Sequence, residues 1–468
     1  MEGRLALLLV CLLLTAHAPV ADAQRASLRD DADGQVFVYL QPLPPEAERV
    51  GFTLGAVSAV GAQGADIPLD LALPSITRND VRHQRLVASG RVRATAYTAL
   101  SFTIARASAR RDGRDAALLV PDTPVRIDVA FAVPRGKAVV VWLAFRPEVS
   151  IGDGMSFTPV FTAWIAPRPM QSLAGFVSNT QSNTITVFDK RLRQAAAVIP
   201  TGQRPSGLAL DRQAGRLYVA CEGDDEIQSI DVTSAELVDR TRLLPGDGPR
   251  ELALTPDGRT LVSVNTGSNS ISIFDTAPLT RRDRLGVGSG PGAMAIDPTG
   301  RRAFVFNTLS NSISVVDLTQ RAVVATLSLD AAPRRGAFSA RGDRLFVLYE
   351  RSPYVAVVDP VKLSVVTRAR LRIGIEALAV DERRNVIYMG GRDDNALEYY
   401  DPNTLLPTNT LRTGGGIAHL AIDAEDNSLY IVSPDRQRLL VGSLAERKVI
   451  AEIDVGKGPY WVAVMGER

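Results

Sequence analysis

Met294-Ala295-Ile296-Asp297-Pro298-Thr299-Gly300-Arg301, then Ala303-Phe304-Val305-Phe306-Asn307, then Ser310-Asn311-Ser312-Ile313-Ser314-Val315-Val316-Asp317, then Val323-Val324-Ala325-Thr326-Leu327, is the stretch that decides the fold. Short β-branched runs alternate with Asp-Pro-x-Gly and Ser-Asn-Ser turn chemistry, which predicts four strands in one unit. The unit recurs along the chain. Its alanine falls at Ala209, Ala253, Ala295, Ala337, Ala379, Ala421 and Ala463, at intervals of 44, 42, 42, 42, 42 and 42 residues. A second phase agrees, through Asp189, Asp231, Asp275, Asp317, Asp359 and Asp401, with Ser443 in the seventh place. Four strands repeated at such a period predict a closed radial array, an all-β, seven-bladed β-propeller. A small residue suits the innermost strand because blades converge toward the axis there.

The first unit opens at Gly175-Phe176-Val177-Ser178-Asn179, which matches the second strand of later units. Its missing first strand stands at the far end, in Tyr460-Trp461-Val462-Ala463-Val464. The C-terminal strand is therefore expected to close the first blade and leave no unpaired ring junction.

Near-neutrality, with 53 Lys and Arg against 51 Asp and Glu and a formal charge of +2 in 468 residues, gives no global electrostatic reason for a nucleic acid or anionic membrane partner. Residues 1–23 read as a signal peptide: Arg4, an apolar run from Leu5 to Leu14, and Ala21-Asp22-Ala23 as the cleavage site before Gln24. That run is too short to span a bilayer, so no membrane span is expected in the mature chain. Cys11 follows Leu8-Leu9-Val10, without the small residue expected before a lipid-modified cysteine. The expected location is periplasmic or secreted, in a bacterium. With Cys11 removed, Cys221 alone survives, so no intramolecular disulfide is expected. Its place in Leu217-Tyr218-Val219-Ala220-Cys221 favours a buried structural cysteine over a reactive thiol.

Residues 24–168 lack the repeat. Alternating runs at Gln35-Leu40, Gly51-Val60, Ala94-Ile104, Ala116-Val120, Val125-Val133, Ala138-Phe145 and Phe157-Ile165 predict a β-sandwich of Ig-like or prealbumin-like kind. Pro167-Arg168-Pro169 is expected to stop the last strand there, which puts the propeller at residues 169–468.

Leu217-Tyr218-Val219-Ala220, Phe304-Val305-Phe306-Asn307 and Gly175-Phe176-Val177-Ser178-Asn179, with the Ser-Asn-Ser-Ile-Ser-Val-x-Asp pattern, resemble the bacterial YVTN-type β-propeller repeat. The resemblance implies an exported or surface-associated propeller and brings no catalytic residue set. In the front segment, Thr95-Ala96-Tyr97-Thr98-Ala99-Leu100, Leu118-Leu119-Val120-Pro121, Val139-Phe145 and Ser156-Ile165 are similar to a bacterial prealbumin-like sandwich domain of unknown function.

The supply of histidine is small: His17, His83 and His419, of which His17 leaves with the signal. Copper and haem sites need clustered His, Met or Cys ligands, and CxxCH, G-x-S-x-G and phosphate-loop motifs are all missing. No cofactor, metal or catalytic residue is therefore expected. Asp224-Asp225 and Asp393-Asp394 could hold calcium, but their exposed loops favour solvated turn carboxylates.

A more informative set appears when the units are aligned. The two residues before each apolar-Ala pair should open each blade at the funnel mouth: Ser206-Gly207, Arg250-Glu251, Gly292-Ala293, Arg334-Arg335, Glu376-Ala377, Ala418-His419 and Tyr460-Trp461. Arg250, Glu251, Arg334, Arg335, Glu376, His419, Tyr460 and Trp461 would then bring charge and aromatic faces to one opening, the usual form of a ligand site. Two readings stay open. Either the charges pair across the ring and merely fill a wet funnel, or they recognise an anionic ligand with an apolar or planar part. On the second, changing Arg334 and Arg335 together to Ala should weaken binding by about 1.5–3 kcal/mol and leave folding little changed.

The leading functional reading is an exported, non-enzymatic binding or scaffold protein, whose propeller top face and funnel take a protein or a small anionic ligand. One alternative is a hydrolase of the propeller-lactonase type, with Glu251 or Glu376 as base or metal ligand and His419 assisting. A second is single-stranded nucleic acid binding through Arg334, Arg335, Tyr460 and Trp461; the near-neutral charge disfavours it.

Overall fold

The computed structural model describes residues 33–111, 114–152 and 155–466. The expected signal peptide, with Cys11, His17 and the cleavage site after Ala23, lies outside these residues.

Seven four-stranded antiparallel sheets form the ring. Blade 1 consists of strand a (Pro459–Val464), strand b (Ala174–Asn179), strand c (Thr184–Asp189) and strand d (Gln194–Pro200). Its register joins Gly175 to Val464, Phe176 to Ala463 and Val177 to Val462, so the C-terminal strand does close the ring. Blades 2 to 7 occupy residues 205–242, 249–286, 291–328, 333–370, 375–412 and 419–454, each in the order a-b-c-d from the axis outward. Inner strands approach closely: a Cβ at Gly207 would lie 2.8 Å from the Arg250 carbonyl oxygen.

The repeated residues have local tasks. In the c–d turns the Asp carboxylate accepts main-chain N–H bonds from two or three residues on, as Asp317 does from Thr319 and Gln320 at 2.9 and 2.8 Å and Asp401 from Asn403 and Thr404. Such local bonds hold a turn that a strand residue could not. Two residues further, Arg193, Ala235, Arg321, Leu363, Leu405 and Arg447 take the left-handed conformation, with φ between 50° and 57°. In the b–c turns, Asn265 Nδ2 donates to Ser270 and Ser272, Asn307 Nδ2 to Ser312 and Ser314, and Asn179 Nδ2 to Thr184 and Thr186. That network is the physical content of the Asn and Ser-x-Ser positions in the repeat.

The front domain comprises β1 (Asp33–Leu40), β2 (Val50–Gly61), β3 (Asp66–Leu71), β4 (Ser75–Ile76), β5 (Arg85–Arg93), β6 (Ala96–Arg111), β7 (Arg114–Leu118), β8 (Val125–Ala132), β9 (Ala138–Phe145), the short pair β10 (Ile151–Gly152) and β11 (Ser156–Phe157), and β12 (Phe161–Ile165). The expected sandwich takes the form of a strand-rich half-barrel with two layers, and its arrangement does not single out an Ig-like or prealbumin-like kind. One ten-stranded sheet, ordered β12-β9-β1-β5-β3-β2-β6-β7 with β4 on β2 and β8 on β6, folds over itself as a half-barrel. The cause lies in β3, which pairs with β2 through Asp66 to Leu69 and then with β5 through Asp70 and Leu71, so the two layers share a strand. Val38, Phe52, Phe102, Val141 and Phe145 fill the space between them.

The half-barrel docks on the outer strands of blades 1 and 7. Trp142 Nε1 donates to the Ala195 carbonyl at 2.9 Å, and Ala195 N–H donates to Gln84 Oε1 at 2.8 Å, both buried. Arg85 pairs with Asp454 at 2.8 Å. Side chains thus satisfy the edge of blade 1, which would otherwise offer free backbone groups. On the opposite side of the seam, Lys190 Nζ reaches Asp423 Oδ2 at 2.6 Å and the Met465 carbonyl at 2.5 Å, tying blade 1 to blade 7 and to the closing strand.

Candidate functional site

The strand-a starts, the b–c loops and the d–a connections meet on one face of the ring, the top. There they enclose a cavity of about 360 Å³ lined by Arg250, Thr266, Gly290, Gly292, Thr308, Leu309, Arg334, Arg335, Glu350, Glu376, Arg392, Ala418 and Tyr460. Of the eight residues expected at the mouth, Arg250, Arg334, Arg335, Glu376 and Tyr460 line this cavity. Glu251, His419 and Trp461 do not; they lie beneath it. Successive strand residues point to opposite faces, so Arg250-Glu251, Ala418-His419 and Tyr460-Trp461 each split into a lining and a floor residue, while Arg334 and Arg335 both reach the cavity, Arg335 also extending into the floor.

The floor is a packed plug. Glu251 is buried, its carboxylate accepting the Met294 N–H at 3.2 Å and pairing with Arg335 at 3.2 Å. Burial pushes its carboxyl upward, and Arg335 and the Met294 N–H oppose that shift. Arg335 lies over the Trp461 ring at 4.8 Å, His419 stacks on it at 3.8 Å, and the Tyr460 ring stands 6.4 Å away. Trp461 is therefore engaged within the protein, half-buried among these side chains, and does not line the cavity as the sequence suggested. The expectation that replacing Arg334 and Arg335 together would leave folding little changed also needs correction. Arg335 is 17% exposed and holds a buried carboxylate, and removing one partner of such a pair costs about 3–5 kcal/mol.

His419 sits in this plug with its pKa well below the usual histidine value, first because burial disfavours the imidazolium and second because Arg335 is near. Nδ1 accepts the Val462 N–H at 3.4 Å, so the neutral ring carries its proton on Nε2. The unfolded chain takes up a proton near pH 6.5 while the folded chain does not, so stability falls as pH drops through that value. The expected loss at pH 5 is on the order of 1–2 kcal/mol. Urea unfolding of the parent and His419→Phe at pH 7 and pH 5 checks this: the variant should lose less on acidification, and equal losses would reject the assignment.

The lining tier carries four arginines and two glutamates. Glu376 takes both Arg334 at 2.7 Å and Arg392 at 2.8 Å, and Glu350 lies 3.9 Å from Arg334. Arg250 differs. Among the described residues no carboxylate pairs with it; its Nε donates to the Tyr460 hydroxyl at 3.1 Å, while Glu222 and Glu251 act only at longer range. Space beside it comes from Gly292, whose added Cβ would meet nothing closer than Thr308 Oγ1 at 3.7 Å. That glycine is unlike Gly207 or Gly336, where a Cβ would strike neighbouring atoms at 2.8 and 2.5 Å. Folding does not require Gly292, and its missing side chain is the opening.

Sequence alignment of the strand-a starts missed Thr266, Thr308, Glu350 and Arg392. A signal for them exists, since they follow strand b at intervals of 42 residues. The acidic pairs considered for calcium serve as turn acceptors: Asp225 receives the Gly246 and Gly248 N–H groups, Asp224 the Gln203 N–H, and Asp394 pairs with Arg372. Among the described residues no three His, Cys, Asp or Glu side chains gather as a metal site. Cys221 is fully buried in strand b of blade 2, and burial pushes its thiol up.

Fold and mouth together define a seven-bladed β-propeller carried beside a strand-rich half-barrel. Residues 175–376 match the YNCE-like beta-propeller family, of the same kind as the YVTN-type repeat. Similar solved structures include a functionally unknown protein from Desulfotomaculum acetoxidans DSM 771, 12% identical with a TM-score of 0.57, covering 63% of this chain and 99% of its own. The dihydro-heme d1 dehydrogenase NirN in complex with DHE is 15% identical with a TM-score of 0.51, covering 64% and 77%. A protein proposed as a 6-phosphogluconolactonase from Bacteroides fragilis NCTC 9343 is 13% identical with a TM-score of 0.52, covering 62% and 98%. At these identities the likeness is one of fold. No curated protein matches the sequence.

Proposed function

We propose that this protein is an exported binding protein whose funnel mouth takes an anionic ligand carrying an apolar or planar part. The observation that carries this is Arg250, a guanidinium with no carboxylate partner among the described residues, beside Tyr460 and the opening at Gly292. Two donor nitrogens of its fork remain for an oxyanion, a geometry suited to carboxylate or phosphate. The lactonase alternative draws no support from the site, because Glu376 is held by two arginines and Glu251 by Arg335.

Benzoate and phenyl phosphate, which join an anion to a ring, are suitable probes. Arg250→Ala should weaken their binding by about 1.5–3 kcal/mol, and Gly292→Trp should abolish it by filling the cavity. Gly292→Ala should raise stability by about 0.5–1 kcal/mol, since glycine in an extended strand pays excess entropy. Titration followed by NMR, with urea unfolding of each variant, decides the matter. Equal binding by the parent, Arg250→Ala and Gly292→Trp would make the funnel a filled structural pore.

A further inference from the structure

The cavity carries an exposed aliphatic side chain at its edge. Leu309, in the b–c loop of blade 4, lines the cavity and is 79% exposed. Its equivalents in the other six blades are Gln181, Gly223, Gly267, Arg351, Asp393 and Asp435, so an aliphatic side chain at this place is peculiar to blade 4. The loop does not depend on it: the Leu309 N–H donates to the Ser289 carbonyl, a main-chain bond. Ile373, in the connection from blade 5 to blade 6, is 66% exposed, and Leu244, in the connection from blade 2 to blade 3, is 46% exposed. Both connections belong to the top face. An exposed aliphatic side chain at a basic opening, with others on the same face, marks a surface that a partner covers.

We propose that the top face docks an extended segment of a partner protein in which an acidic side chain stands beside an aliphatic one, with the carboxylate against Arg250 and the aliphatic group on Leu309. This inference rests on the reading of the mouth as an anion site. Three observations favour a polypeptide. Glu350 and Glu376 share the cavity with the arginines, so the lining carries two net positive charges; one carboxylate suits that field, whereas a polyphosphate backbone would be repelled by both glutamates. Leu309 is aliphatic, Trp461 is engaged by His419 and Arg335 below the cavity, and among the lining residues Tyr460 is the one ring, enough for a single planar group but not for successive stacked bases. Finally, a small anion seated beside Arg250 would leave the exposed Leu309 side chain uncovered, while a chain crossing the mouth would bury it.

The test uses the full chain and immobilised decapeptides: one set with Asp or Glu next to Leu, Ile or Val, a second with the acid replaced by its amide, and a third with the aliphatic residue replaced by Ser. A dT20 oligonucleotide serves as the nucleic acid probe. The parent should retain the first set at least tenfold better than either control set. Arg250→Ala should remove the preference for the acid, and Leu309→Ser the preference for the aliphatic residue, with melting temperature unchanged in both. Equal retention of the three sets, or the same preferences in both variants, overturns the inference. Retention of dT20 that Arg250→Ala abolishes, without peptide preference, would assign the mouth to nucleic acid instead. Binding of phenyl phosphate without any peptide preference would reject the partner segment while leaving the anion site standing.

Discussion

Removing Pro459 and everything after it is expected to abolish soluble expression of the protein. The deletion takes strand a from blade 1 and uncovers Ala174–Asn179, a strand buried at every position. It also removes Val462, Val464 and Met465 from two apolar clusters, one of which joins the ring to the front domain. Full burial of three such side chains contributes about 5–9 kcal/mol, on the scale of the whole net stability of a folded domain, about 5–15 kcal/mol. The exposed edge would in addition offer a row of unpaired backbone groups to other chains. Soluble yield and, for any soluble fraction, thermal unfolding by circular dichroism are the readouts. A truncated chain that melts like the parent would show that the ring closes by another route.

The ring was legible in the sequence because its repeated residues each do a local job. Ala295 and its counterparts keep the inner strands close, Asp317 and Asp401 hold the c–d turns, and Asn265 and Asn307 bind the two hydroxyls that follow them. Local chemistry repeats at a fixed interval, so the period reveals it. The front domain offers no such repetition. Its alternating runs predict strands correctly, but that β3 changes partner between Leu69 and Asp70 depends on how two layers meet, which alternation does not encode. At the mouth, alignment placed Arg250-Glu251 and Tyr460-Trp461 as pairs, whereas strand geometry sends one member into the cavity and the other into the plug. Counting residues could not tell which, since both phases satisfy the same period. The opening itself is marked by an absent side chain, Gly292, and became recognisable only once the space around it was known.

Lys190→Met is expected to destabilise the protein by about 3–5 kcal/mol, the cost of leaving a buried charge unpaired. Lys190 stands in the c–d turn of blade 1, where blades 2, 4 and 7 carry Val232, Leu318 and Leu444. Its side chain and that of Asp423 are each 2% exposed, and the two groups lie 2.6 Å apart. The ammonium also donates to the Met465 carbonyl, the residue just past the closing strand, so one cation joins both blades of the seam and the end of the last strand. Asp426, 3.5 Å away and partly exposed, contributes less. Asp423 has a second duty, for its Oδ1 accepts the Glu425 and Asp426 N–H groups at 3.2 and 3.4 Å. Adding Asp423→Asn to Lys190→Met keeps that acceptor while removing the orphaned charge, and should recover part of the loss. Urea unfolding of the parent, both single variants and the double variant measures the coupling directly. Amide hydrogen exchange at residues 459–465 should quicken in Lys190→Met before the rest of the ring opens, because the last strand loses its clamp while the other blades keep their own turns. A cost below about 1 kcal/mol for Lys190→Met, within the range of an exposed pair, or no recovery in the double variant, would show that apolar packing alone holds the seam.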